Sequence, residues 1–155
     1  MFREMRRQDR KTDNEKAAAI LAAGEYGILS TVGDNGYAYG VPLSYAYSNG
    51  SIYFHCAPEG HKLDNIKHND KVSFCVVGAT EVLPGDFSTK YESVIVFGKA
   101  SEVYDDEKEE AHMAILKKYS SEFMDKGIKY MKSDLYKTKV IKIELEHMTG
   151  KSRND

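Results

Sequence analysis

Short β-prone runs between turn residues, two of which alternate clearly at 91–103 and 138–147, predict a largely β protein. Asn-Gly pairs at residues 35–36 and 49–50 are typical of tight hairpin turns between strands. Pro42 indicates an edge strand or a bulge, because proline donates no ladder hydrogen bond. Gly98 indicates a further bulge. The six predicted strands are residues 26–32, 37–47, 51–56, 71–77, 91–103 and 138–147.

Helical spacing follows in four further segments. An alanine-rich run begins with a capping-box sequence and stops at Gly24, and Asp105 is expected to cap a later helix. The predicted helices lie within residues 12–24, 61–68, 105–119 and 121–131, with a loop over 78–90 and a polar tail over 149–155. Six mostly antiparallel strands with two apolar faces are expected to close on themselves. The sequence therefore predicts a β+α fold, a six-stranded antiparallel barrel decorated by helices.

Composition narrows the function classes. The 155 residues are 41% hydrophobic and 30% charged, which suits one globular domain, 1–155, with an N-terminal arm and helix, 1–24, and a helical insertion, 105–131. The net charge of −2 offers no basic surface for nucleic acid or an anionic membrane, and no apolar run is long enough to span one. Two cysteines and an N-terminal segment interrupted by acidic residues favour a cytoplasmic protein without a secretory signal.

One short segment has the composition of an anion site. Gly60, His61 and Lys62 open a predicted helix directly after a strand. Helix N-termini present free backbone N–H groups and partial positive charge, both of which suit phosphate. Lys62 adds a full charge, and Gly60 lets a ligand approach the backbone. The alternative is an ordinary exposed helix start with solvated polar residues.

Histidine, cysteine and tyrosine leave other interpretations open. The spacing of His55, Cys56, His61, His68 and Cys75 fits no closed zinc pattern, so no metal site is predicted. The cysteines lie in apolar strands and are expected to be buried thiols rather than half of a Cys–His nucleophile pair. Tyrosines are frequent in the second and third strands. Tyrosine is common in strands in general, but these residues could also stack on an aromatic ring or lie on a face buried in a dimer.

Motifs in order along nearly the whole chain resemble a known family. The carrying segments are Arg6-Arg7-x-Asp9-Arg10, Gly27-Ile28-Leu29-Ser30-Thr31, Tyr39-Gly40-Val41-Pro42-Leu43-Ser44, Tyr53-Phe54-His55-Cys56, Gly60-His61-Lys62-Leu63-Asp64-Asn65-Ile66, Lys71-Val72-Ser73-Phe74, residues 89–100, and His147-Met148-Thr149-Gly150-Lys151. Together they are similar to the pyridoxamine 5'-phosphate oxidase-related flavoproteins, which have the FMN-binding split-barrel fold. Within that family the chain most resembles the nitroimidazole-resistance branch.

The resemblance implies a homodimer with FMN between two split barrels. The second strand would line the flavin ring, the end of the third would border the ribityl chain or phosphate, and Lys62 would anchor the phosphate. His61 would be the catalytic residue, assisting phosphate binding or donating a proton. The implied cofactor-binding residues are Tyr39, Gly40, Val41, Pro42, Leu43, Ser44, His55, Cys56, His61, Lys62, Glu92, Ser93 and, from the partner chain, Lys151 or alternatively Arg153.

Departures from the family pattern shape the expected activity. The oxidases carry a basic residue at each end of the second-strand motif, where this chain has Tyr39 and Ser44. Their C-terminal substrate-binding arginine motif is not recognisable, which disfavours vitamin B6 phosphate oxidation. The resemblance therefore implies an FMN-dependent oxidoreductase that reduces a small acceptor such as a nitroaromatic. The alternative, favoured by five histidines, is a haem-binding or non-catalytic split barrel.

Overall fold

A computed structural model describes residues 1–154 and contains one antiparallel sheet flanked by helices. Its strands are β1 (Gly27–Val32), β2 (Ala38–Leu43), β3 (Ala46–Ser48), β4 (Ser51–Cys56), β5 (Lys71–Leu83), β6 (Ser88–Val103) and β7 (Lys139–Arg153). Its helices are α1 (Asn14–Ala23), α2 (His61–His68), α3 (Asp105–Tyr119) and α4 (Met124–Asp134). Short 3₁₀ turns occupy Gln8–Arg10, Pro84–Asp86 and Ser121–Phe123. The mainly β fold with helices is thus as predicted.

The strand count and the closure of the sheet differ from the prediction. Seven strands follow the order β2-β1-β5-β6-β7-β4-β3, and β2 and β3 form two open edges. Only residues 44 and 45 connect these edges along the chain, so the sheet is rolled without being closed by hydrogen bonds.

Tyr45 divides the expected long second strand into β2 and β3. Its ring is fully buried, and its hydroxyl donates to the carbonyl of Leu21. Its backbone N–H donates to the Tyr119 hydroxyl at 3.1 Å, and its carbonyl accepts from Lys118 Nζ at 3.0 Å. The backbone groups of Tyr45 are therefore paired with side chains of α3 instead of a neighbouring strand, which satisfies them without a ladder.

Two segments predicted as loop and tail are strands. The loop expected over 78–90 is mostly a continuation of the β5–β6 hairpin, which turns at Pro84–Asp86 and at Phe87 with φ of 50°. Residues 149–153 of the tail expected over 149–155 belong to β7, whose pairing with β6 continues to Arg153 opposite Tyr91. Asp155 lies outside the described residues. Ladder hydrogen bonds outweigh the polar composition of both segments. The segment 78–90 pairs within its own hairpin, with Leu83 opposite Ser88, whereas the end of β7 pairs with β6, which is distant in sequence. A register shift at Gly98 confirms the predicted irregularity there.

The core lies on the concave face of the rolled sheet. Leu29, Phe74, Val94 and Ile143 are fully buried there, and α1 covers one side with residues such as Leu21. Burial of each such side chain contributes roughly 1.5–3 kcal/mol. The core therefore fixes which face of every strand remains outside.

The helix boundaries match the predictions closely, while the caps differ. The α1 helix is capped by Asp13, whose side chain accepts from the backbone N–H of Lys16 at 2.7 Å. The N-cap of α3 is Tyr104, and Asp105, the expected cap, is the first helical residue with φ of 53°. Within residues 1–154, no helix is both long and apolar enough to cross a membrane.

Candidate functional site

The segment expected to line a flavin ring is an edge strand. Within the described chain β2 pairs with β1 alone, so one side of its backbone carries unpaired N–H and C=O groups. Val41 and Leu43 pack against the core, whereas Gly40, Pro42 and Ser44 are exposed. Pro42 occupies an edge strand as predicted, because its missing N–H removes no interior ladder bond. The strand therefore offers backbone hydrogen bonds and a flat rim to a planar ligand.

The start of α2 forms a cradle, which we define as Gly60, His61 and Lys62. The helix has no side-chain N-cap, so its first backbone N–H groups have no side-chain acceptor. Gly60 has φ of 154°, and a Cβ there would meet nothing within 4 Å. The α2 cradle thus combines free donors, open space and the charge of Lys62, a combination that fits a phosphate group.

A ring contact joins the α2 cradle to β2. The rings of Tyr39 and His61 stack with centroids 3.9 Å apart and an interplanar angle of 28°. On the next turn of α2, the buried Asn65 donates from Nδ2 to the Thr31 hydroxyl at 3.0 Å. This second contact holds α2 against β1, the neighbour of β2. The edge strand and the cradle are therefore parts of one assembly, although about twenty residues separate them in sequence.

The end of β4 leads directly into the α2 cradle. Burial raises the pKa of the Cys56 thiol, and the positive charges of Lys62 and Lys139 act against that shift. Cys56 is therefore a protonated, buried side chain whose surroundings include the lysine of the cradle. His55 points to the opposite side of β4, toward α3.

Three other predicted residues form a separate group, the β6–β7 cluster of Glu92, Ser93 and Lys151. Ser93 lies opposite Lys151 in the ladder, and Glu92 forms an ion pair with Lys16 at 3.2 Å. The ammonium of Lys151 lies 5.5 Å from the centroid of the Tyr91 ring. Three strand spacings of about 4.8 Å separate β6 from β2. Two strands, β1 and β5, therefore lie between the β6–β7 cluster and β2 within one protomer.

The outer face of the sheet beside the β6–β7 cluster is apolar and open. Val77, Ile95 and Phe97 have 58%, 43% and 39% of their surface exposed. The N-terminal arm crosses this face, where Phe2 stacks on the rings of Phe97 and His147 with centroids 5.3 and 4.8 Å away. A contiguous exposed apolar face of this kind is typical of an association surface.

A cleft that sequence reasoning missed lies between β4 and the helices α3 and α4. We call it the α3–α4 cleft, and its volume is about 300 Å³. His112 is 8% exposed and forms part of the wall, and burial together with the nearby charges of His55 and Lys108 lowers its pKa to about 4. The cleft residues are Ser44, His55, His112, Ile115, Leu116, Tyr119, Ser120, Gly127, Tyr130, Met131, Asp134 and Thr138.

Helical spacing carries a signal for the buried face of α3 that was not used. His112 precedes Ile115 by three residues and Leu116 by four, which places all three on one side of the helix. The apolar stripe predicted for this helix from the sequence consists of Ala111, Ala114, Ile115 and Tyr119, and it does not include the histidine. Metal chemistry has no support here, since the described residues include no group of three or more His, Cys, Asp or Glu that could hold an ion.

Solved bacterial structures share this fold. A candidate 5-nitroimidazole antibiotic resistance protein from Bacteroides thetaiotaomicron is 24% identical with a TM-score of 0.74, covering 90% of this chain and 83% of that one. A FAD-binding protein from Mesorhizobium loti is 23% identical with a TM-score of 0.67, covering 94% of this chain and 97% of that one. A FAD- and heme-binding protein from Mycobacterium smegmatis is 14% identical with a TM-score of 0.80, covering 94% of this chain and 74% of that one. At such identities the likeness shows the fold alone.

Sequence comparison identifies the family directly. Curated proteins give no significant match. The pyridoxamine 5'-phosphate oxidase family matches residues 13–152, which confirms the resemblance found in the motifs. Because that match includes all four helices and all but the last residue of the rolled sheet, this chain belongs to the pyridoxamine 5'-phosphate oxidase family.

Proposed function

We propose that this protein is an FMN-binding homodimer that reduces a small acceptor, with nitroaromatic compounds as model substrates. One observation carries the proposal: the free edge of β2 and the α2 cradle are held side by side by the stack of Tyr39 on His61. A planar ring and a phosphate on one molecule match these two features. Structural neighbours that bind FAD support a flavin as that molecule.

Each half of the cofactor has matching residues in this chain. Lys62 and the N–H groups at the start of α2 would hold the phosphate, because both supply positive charge at an open position. The exposed backbone around Gly40 and Ser44 would hydrogen-bond the ring edge. When bound, FMN supplies reversible two-electron chemistry, and the protein supplies position and electrostatics.

His61 is the proposed proton donor. Its ring is exposed and lies against Tyr39, which fixes its plane beside β2. Imidazole both gives and takes a proton near neutral pH, so His61 suits an acceptor that gains protons together with electrons. Its backbone also belongs to the α2 cradle, which links phosphate binding to the orientation of the ring.

A second copy of the chain would complete the site. Within one protomer β1 and β5 separate the β6–β7 cluster from β2, and the apolar outer face beside the cluster is exposed. Pairing two copies across that face would bury Val77, Ile95 and Phe97. In such a dimer Lys151 of one protomer would approach the cofactor held by the other.

A titration with FMN tests the proposal. Purified protein is examined by absorption and then titrated with FMN while flavin fluorescence is followed, with riboflavin as the control that lacks phosphate. Saturable FMN binding with quenching, and weaker riboflavin binding, is expected. Reduced protein should then be reoxidised by a 5-nitroimidazole under anaerobic conditions. No binding at excess FMN, or a haem absorption band in its place, would overturn the proposal.

Sedimentation measured with and without FMN tests the dimer. A dimer in both conditions is expected, because the apolar face exists without the ligand. A substitution of Phe97→Glu on that face should shift the protein toward monomer and weaken FMN binding together. Binding of FMN by a stable monomer would contradict the role of the second copy.

A further inference from the structure

The α3–α4 cleft has a polar end whose hydrogen-bonding pattern can be assigned. The hydroxyl of Thr138 donates to the carbonyl of Asp134 at 3.3 Å, and the same oxygen lies 3.3 Å from Nε2 of His112. A hydroxyl has a single hydrogen, so assigning that hydrogen to the Asp134 carbonyl makes Thr138 the acceptor of a proton on Nε2 of His112. The other ring nitrogen, Nδ1, therefore carries a lone pair and is a hydrogen-bond acceptor.

That acceptor has no partner within the described part of the protein. Within residues 1–154, Nδ1 of His112 has no hydrogen-bond partner. Every fully enclosed side-chain nitrogen or oxygen in the described part of the chain has a hydrogen-bond partner. Because Nδ1 has none, it is not fully enclosed. The lowered pKa of His112 keeps the ring neutral at neutral pH. The ring of His55 lies beside it with a centroid distance of 5.4 Å, which adds a second imidazole to the polar end.

The rest of the cleft selects against charge, above all negative charge. Ile115, Leu116 and Met131 supply apolar walls. Among the described lining residues there is no lysine or arginine, while Asp134 contributes a carboxylate. The ammonium of Lys108 lies near this end, but it already donates to the Thr138 carbonyl at 2.8 Å. An anionic ligand would therefore lose water for a cation that already has a partner. At about 30 Å³ for each water-sized group, 300 Å³ holds on the order of ten non-hydrogen atoms.

We propose that the α3–α4 cleft binds a small uncharged aromatic or heteroaromatic compound through an N–H or O–H that donates to Nδ1 of His112. The ring packs against the apolar walls, and the imidazole accepts a hydrogen bond from the donor group. Because Ser44 lines both the cleft and the end of the β2 segment, the bound ring lies next to the proposed flavin. That proximity rests on the proposed function, whereas the binding itself does not.

Indole and benzofuran are a matched pair of probes for this cleft. They have the same shape, and only indole has an N–H donor. Each is titrated into isotope-labelled full-length protein while NMR signals of Ile115, Leu116 and Met131 are followed. Indole is expected to bind about tenfold more tightly, the effect of one hydrogen bond to an otherwise unpartnered acceptor. Equal affinities in the wild-type protein would overturn the proposal.

Substitutions and a charged probe complete the test. His112→Phe should reduce indole to the affinity of benzofuran, while His68→Phe, at the exposed end of α2, should leave the pair distinguishable. Leu116→Trp should abolish binding of both by filling the cleft. Tighter binding of indole-2-carboxylate than of indole would overturn the proposed preference for neutral ligands. The wild-type comparison stands even if a variant does not fold.

The same titrations in the presence of FMN separate the two proposals. Indole binding without FMN binding would leave the cleft assignment intact and refute the flavin function. FMN binding without discrimination between indole and benzofuran would refute the cleft assignment and leave the flavin function intact.

Discussion

The end of β4 leads to two candidate sites of opposite character. On one side the α2 cradle is open, positively charged and without a side-chain cap. On the other side the α3–α4 cleft has apolar walls and a neutral His112 held by burial. Histidine occurs in both, so residue type alone does not determine the ligand. Exposure and neighbouring charge decide between an anion and an uncharged ring.

The largest expected effect comes from removing the charge of the α2 cradle. Lys62→Gln should weaken FMN binding by about 10- to 100-fold, because a charge-assisted hydrogen bond to phosphate is lost. Riboflavin binding should change little, since riboflavin carries no phosphate. Fluorescence titration with both flavins measures the difference.

A matched variant on the same helix controls for this experiment. Lys67→Gln removes an exposed lysine from the last turn of α2, away from the cradle, and should leave FMN affinity unchanged. An equal loss of riboflavin and FMN affinity in Lys62→Gln would mean that Lys62 supports the fold and does not bind phosphate.

The neutral state of His112 should appear as a pH dependence of stability. Its pKa is about 4 in the folded protein against 6.5 normally, so the unfolded chain binds more protons between these values. Stability from this residue is present above about pH 6.5 and is lost as the pH falls toward 4. The expected loss is about 2 kcal/mol, measured by urea unfolding across that range.

His112→Phe is the control for the pH experiment. It should flatten the dependence between pH 6.5 and 4, leaving a smaller part from His55, whose pKa is also lowered by burial. An unchanged slope in this variant would show that carboxylates, and not the buried imidazole, cause the loss of stability in acid.

The smallest effect is expected at the contact between β2 and the cradle. Tyr39→Ala should weaken FMN binding by about 1 kcal/mol, because the stack that orients His61 is lost. Tyr39→Phe keeps the ring and should retain wild-type affinity. If the two variants are equally weak, then the hydroxyl of Tyr39 contributes the binding, and the ring stack does not.

The fold was largely predictable because strands and helices follow local periodicity. The core positions Leu29, Phe74 and Val94 lie in runs that alternate visibly, and the helix bounds depend on nearby turn residues. The break at Tyr45 was not predictable, since its backbone partners Lys118 and Tyr119 come from a helix more than seventy residues away. Long-range pairing with β6 likewise determined the strand structure at the end of β7.

The two candidate sites differ in the same way. The α2 cradle consists of three consecutive residues, so its composition was visible in the sequence and its neighbours in β2 followed from the family resemblance. The α3–α4 cleft combines side chains from β4, α3 and α4 with Thr138. No contiguous motif encodes it, and only the packing of the helices on the sheet brings His55 and His112 together.

The two-residue link between β2 and β3 sets a mechanical limit on the sheet. Consecutive Cα atoms are about 3.8 Å apart, so Leu43 and Ala46 stay within about 11 Å of each other. They belong to the first and last strands of the hydrogen-bonded order, yet the short link holds these two edge strands close together. Near this link the gap between β2 and β3 cannot exceed that span, and the sheet cannot unroll from this side. Any larger opening of the sheet has to begin with the loss of hydrogen bonds between two other neighbouring strands.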